Sequence, residues 1–132
     1  MAIDLNYKTN SELFNEVAEN YAKEIGRGVK NTQIRKFYDY VLEYDEKAKK
    51  LKTEDEFKSD ILPFIKMLNS KVAYASTRSS GGGKLVNEAF VNMIKECVLA
   101  IKEKKDLSNF KFFFEAVIGF HREVEAKKED KK

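Results

Sequence analysis

From Leu13 to Val124 the apolar residues of this chain recur in steps of three and four, and one proline interrupts them. That spacing puts apolar side chains on one face of a helix with 3.6 residues per turn, whereas a half-buried strand alternates every second residue. A length of 132 residues suits one hydrophobic core. The reading is therefore all-α: a compact bundle of about five helices in one domain, with a flexible lead at 1–8 and a charged tail at 126–132 that frays.

Local signals place the helices. Thr9 with Glu12 has the form of a capping box opening the first helix, which Leu13, Phe14, Val17, Tyr21 and Ile25 continue. The GRG turn at Gly26 to Gly28 stops it, because glycine enters the left-handed region that ends helices. Asn31 or Thr32 caps the second helix, with Ile34, Phe37, Val41, Tyr44, Ala48 and Leu51 as its buried face. Thr53 and Glu56 form another capping box before Phe57, Ile61, Ile65, Leu68, Val72 and Ala75. Pro63 breaks that stretch near Ser59, which caps a restart at Asp60 or Ile61, since an interior proline removes one hydrogen bond and clashes one turn back. Val86, Phe90, Met93, Ile94, Cys97 and Ile101 mark the fourth helix. Ser108 caps the fifth, with Phe110, Phe113, Phe114, Val117, His121 and Val124 on its main face. Phe112 and Phe120 lie off that face, so this helix is apolar nearly all round and belongs at the centre of the bundle or at an interface.

Composition narrows the function. Cys97 is the sole cysteine and forms no intramolecular disulfide, and the N-terminal sequence lacks the basic and apolar regions of a secretory signal. The expected location is the cytoplasm, with no membrane partner and no small-molecule substrate. SSGGGK resembles a phosphate-binding loop but has Arg78 where that pattern needs glycine and Leu85 where it needs Ser or Thr. An exposed linker is the better reading of Ser76 to Gly83. His121 is the only histidine, and with Cys97 as its sole soft companion it reads as a packed core residue with one ring nitrogen satisfied. No catalytic residue, metal ligand or cofactor is assigned.

The informative feature is a gap in the carboxylates. Of 22 Asp and Glu residues none falls between Ile61 and Asn87, a window that holds Lys66, Lys71, Arg78 and Lys84. Lys71 and Arg78, seven residues apart, fall about 20° apart around a helix, and Tyr74 stands between them. Two cations flanking a ring suit a phosphate backbone with a base or sugar against the aromatic. Arg35 and Lys36 add outward charge on the second helix. Each feature also has a plain reading as solvated surface, or as pairing with Asp39.

Three segments, QIRKFY at Gln33 to Tyr38, KVAYASTR at Lys71 to Arg78 and FKFFFEAVIGFH at Phe110 to His121, together resemble the small helical subunit of the type III-A CRISPR interference complex, the Csm small subunit. The resemblance covers most of the chain from about Asn31 to His121. It implies a non-catalytic bundle, copies of which stack beside guide RNA, with crRNA, target RNA, other Csm subunits and further copies of itself as partners. Carried over by position, it implies Arg35, Lys36, Lys71 and Arg78 as contacts to the RNA backbone in antiviral defence; Lys84, from the acid-free window, is a further RNA-binding candidate. The alternative is a helical adaptor between proteins that touches no nucleic acid.

Overall fold

The structure is a computed structural model that describes residues 3–80 and 83–130, the side chains of 79, 80, 83, 84 and 128–130 lying outside that description. Its order is a π-helical turn at Leu13–Val17, α1 at Ala18–Ile25, a 3₁₀ turn at Gly26–Gly28, α2 at Asn31–Lys49, α3 at Glu54–Asp60, α4 at Leu62–Thr77, β1 at Ser79–Ser80, β2 at Gly83–Lys84, α5 at Glu88–Ala100 and α6 at Lys104–Asp130. The all-α bundle expected from the periodicity is what forms. Among the described residues no helix is long and apolar enough to cross a membrane.

α6 is the centre of the bundle. α1 and α2 pack against it, and α4 packs against α5. Phe110, Phe113 and Phe114 of α6 are fully buried, with Phe57 from α3 and Phe90 from α5. Each such ring contributes roughly 1.5–3 kcal/mol through the surface it removes from water. The rings meet edge-on or tilted: Tyr38 against Phe114 at 5.7 Å, Tyr21 against Phe113 at 5.6 Å, and Phe110 against Phe114 at 5.6 Å. These are the offsets that ring quadrupoles favour. Ile3 and Leu5 also enter this core, held by a turn in which the Thr9 hydroxyl donates to Asp4 Oδ2 and Asn10 Nδ2 donates to the Asp4 carbonyl.

Capping at Thr53 and Glu56 is a complete reciprocal box, while the caps expected of Thr9, Asn31, Ser59 and Ser108 are not made. Thr9 is spent on Asp4, so the first helix opens with its π-helical turn and no side-chain cap. Asn31 is the first residue of α2, and its backbone N–H donates to Glu125 across the bundle. Ser108 lies inside α6 and donates at 2.6 Å to Asp45, a carboxylate with no exposure. The α6 start is held by Asp106, which accepts from the backbone of Lys102 and Glu103. The break at Pro63 occurs between Asp60 and Leu62, where Ile61, not Ser59, precedes the new helix. Proline in a first turn loses no intrahelical bond, so it begins α4 instead of kinking a longer helix.

The α1–α2 corner depends on glycine twice. Gly26 has φ +59° and ψ −152°, a positive-φ conformation open essentially to glycine but not the left-handed helical one expected of a helix stop, whereas Gly28 is needed for space: a Cβ there would lie 2.9 Å from Asn87 Nδ2. His121 closes this corner from α6. Its Nε2–H donates to the Gly26 carbonyl at 2.7 Å and its Nδ1 accepts from Asn31 Nδ2 at 3.1 Å. Both ring nitrogens are engaged, one more than the sequence implied. The linker expected at Ser76 to Gly83 begins inside α4, and Ser79 and Ser80 pair with Lys84 and Gly83 in a two-rung antiparallel hairpin. Gly81 and Gly82 lie outside the described residues.

Candidate nucleic-acid interface

α2 leans on α6 more than on α4, and this leaves a cleft of about 340 Å³ open between α2 and α4. Gln33, Lys36, Phe37 and Tyr40 line its α2 wall, and Lys71, Tyr74, Ala75 and Arg78 line its α4 wall. Three of the candidate cations, Lys36, Lys71 and Arg78, thus meet at one place although 35 to 42 positions of sequence separate the first from the other two. All three side chains are exposed. Among the described residues none of them forms an ion pair with a carboxylate, and neither Arg35 nor Lys36 bridges to Asp39.

Arg35 does not join them. Successive helix residues are turned by about 100°, so with Lys36 facing α4, Arg35 falls on the flank of Tyr38, close enough to act on that phenol. There the Tyr38 hydroxyl donates to Glu115 on α6. The expected strip of cations is therefore built from Lys36, Lys71 and Arg78. Lys84 has its backbone paired with Ser79, immediately before Leu85 at the rim of the cleft, and its side chain lies outside the described ones.

Aromatic rings organise the charges. Lys71 Nζ lies over the Tyr40 ring at 5.1 Å, and the Arg78 guanidinium over Tyr74 at 5.4 Å. A ring face attracts a cation without neutralising it, so both remain available to an anion. Tyr74 is 62% exposed. Beyond it Tyr40, Tyr44 and Phe64 continue as a ladder, at 4.9 Å for the first pair and 5.7 Å with planes 10° apart for the second. Lys47 stands over Tyr44 at 4.8 Å. The Tyr40 hydroxyl donates to the Phe64 carbonyl at 2.7 Å, and burial with the neighbouring Tyr44 and Glu43 pushes its pKa up to about 12. Tyr40, Phe64 and Lys47 were not picked out in the sequence. The signal was present in α4, where Phe64, Met67, Lys71, Tyr74 and Arg78 recur at steps of three and four off the buried stripe.

The other residues weighed for chemistry are structural. Cys97 and His121 have no exposure, and burial raises the Cys97 thiol well above its usual range. Among the described residues no three of His, Cys, Asp and Glu are grouped to hold a metal ion. The chain is thus a helical bundle with a closed core and an open α2–α4 cleft lined by cations. The family match agrees: a model described as Csm2 Type III-A matches residues 8–127, and the chain belongs to that family, the small subunit of the type III-A CRISPR complex. It is thereby a component of a multi-subunit Csm assembly. No curated protein and no solved structure gives a significant match.

Proposed function

We propose that this subunit is non-catalytic and holds crRNA, and crRNA paired with target RNA, through the α2–α4 cleft. The observation that carries this reading is the meeting of Lys36, Lys71 and Arg78 at one cleft, without a carboxylate among the described residues that line it. A-form RNA hides its major-groove edges, so a scaffold holds any guide–target pair through phosphates and 2′-hydroxyls and leaves sequence to base pairing. Tyr74 packs on a ribose or an unstacked base between the Lys71 and Arg78 contacts. Arg35, on the opposite flank, has no part in this cleft.

The test is binding of the purified chain to two RNA duplexes of unrelated sequence. The reading expects equal affinity within about twofold, a steep fall with salt, and intact RNA afterwards. Strong preference for one sequence, or cleavage, contradicts it.

The adaptor reading has one observation of its own. Tyr7, Phe14 and Phe112 are exposed and form a ladder at 5.9 and 6.1 Å on the far side of α6. Exposed rings of this kind mark protein contacts. An assembly that forms at high salt without RNA would favour that reading over the first.

A further inference from the structure

The side of α4 turned away from the cleft meets the C-terminal half of α5 in a second groove, of about 410 Å³. Its charged lining is Lys66, Lys95 and Lys102; among the described residues no carboxylate lines it, and the nearby Asp106 is engaged by the backbone N–H groups of Lys102 and Glu103. Among the described residues these lysines make no ion pair. Of the carboxylates next in sequence, Glu96 accepts from the Tyr21 hydroxyl at 3.3 Å and Glu103 pairs with Lys105 at 3.3 Å instead. Three like charges around one groove repel one another. The last carbonyls of α5 offset only part of this, being equivalent to roughly half an elementary charge.

Between the lysines the surface is aliphatic. Val98 and Ile101 form a buried floor, and Leu99 stands over it 74% exposed. Asn69, half-buried on the α4 wall, has an Oδ1 with no hydrogen-bond partner among the described residues. Among the described residues no aromatic ring lines this groove, in contrast to the α2–α4 cleft with Tyr40 and Tyr74. A nucleic-acid strand stacks its bases on rings and gains little from an isolated leucine. An apolar centre ringed by like charges is the anatomy of a protein contact whose partner has the opposite sign.

We propose that the α4–α5 groove docks an acidic segment of another protein subunit of the assembly. An apolar side chain of that segment covers Leu99, its carboxylates meet Lys66, Lys95 and Lys102, and one of its backbone N–H groups bonds to Asn69 once that amide turns toward it. The occupant is not RNA, so this contact is independent of the cleft reading and survives its failure.

Leu99→p-benzoylphenylalanine, placed in the complete complex assembled with its CRISPR RNA and then irradiated, tests the proposal directly. The expected crosslink joins residue 99 to an Asp- or Glu-rich segment of a different protein subunit. A crosslink to RNA, a crosslink to a second copy of this chain, or no crosslink overturns it. A companion variant, K66E/K95E/K102E, alters only exposed side chains. It is expected to enter the complex about tenfold less well, as reversing rim charges slows association, while the free chain keeps RNA affinity within about threefold of the unaltered protein. Undiminished assembly, or a loss of RNA affinity as large as the loss of assembly, counts against the groove.

Discussion

Arg78 lays its guanidinium over the ring of Tyr74 and brings Nη1 to 3.4 Å from the same residue's hydroxyl, one turn back along α4. The pair lies at the mouth of the α2–α4 cleft, where Tyr74 supports nothing in the core. Tyr74→Ala should therefore leave stability within about 0.5 kcal/mol, as surface changes do, and weaken single-stranded RNA binding by ~1–3 kcal/mol, the worth of one stacked base. Thermal melts and fluorescence titration of the same protein check both halves. A large stability loss with unchanged affinity would make the ring structural.

Alkaline pH should destabilise the fold. Burial, the first cause in each case, raises the phenols of Tyr21, Tyr38 and Tyr40, with Tyr40 pushed up to about 12 from an ordinary 10.0. The folded state keeps protons that the unfolded chain releases, so stability is whole below 10.0 and falls as pH rises toward 12. Lys47, raised chiefly by its hydrogen bond from Nζ to Glu43, acts in the same direction. Urea midpoints measured across that window should decline, and a flat profile contradicts the burial described here.

Cys97 should behave as a buried hydrophobe. Reaction requires the thiolate, which desolvation disfavours here. A thiol reagent is expected to label one site per chain in denaturant and to react only at the rate of opening in the native protein. Immediate labelling of the native chain would contradict the packing of α5.

Gly28 and Asn87 should be coupled. Asn87 donates to the Ile25 carbonyl at 2.8 Å and accepts from the Phe90 N–H at 3.0 Å, so one side chain joins the end of α1 to the start of α5. Gly28→Ala puts a methyl against that amide and should cost about 1–3 kcal/mol. Asn87→Ala loses the cap and should cost about 0.5–2 kcal/mol. Because Asn87→Ala removes the atom that clashes, the pair should cost less than the sum, and a double-mutant cycle measures the difference. Strict additivity would contradict the contact.

Periodicity disclosed the helices because it reports burial directly: Phe57, Ile61, Ile65, Leu68, Val72 and Ala75 are all buried. It was less reliable for α2 and the residues just after it, where Phe37, Tyr44 and Leu51 are half-buried while Tyr38 and Asp45 are buried. Spacing fixes an angle around one helix but not which neighbour that angle meets. The same reason explains Arg35. The sequence shows that it points outward, and only the packing of α2 on α6 decides that outward means away from Lys71. Caps at Thr9, Asn31 and Ser108 were misplaced because their side chains found partners distant in the fold or in a local turn, Asp45 and Asp4 among them. The acid-free window, a property of charge and not of packing, was legible throughout, and it runs along α4 past both grooves.

The cleft is tested most directly by the salt dependence of RNA binding in the K36E/K71E/R78E variant beside R35E. Each phosphate neutralised contributes about −0.9 to the slope of log affinity against log salt for a duplex. Removing three contacts should flatten that slope by roughly 2–3 and weaken binding most at low salt, whereas R35E should shift it by less than about 1. Equal slopes in the triple variant and the unaltered chain, with the fold intact, would contradict the assignment of Lys36, Lys71 and Arg78 to the RNA backbone.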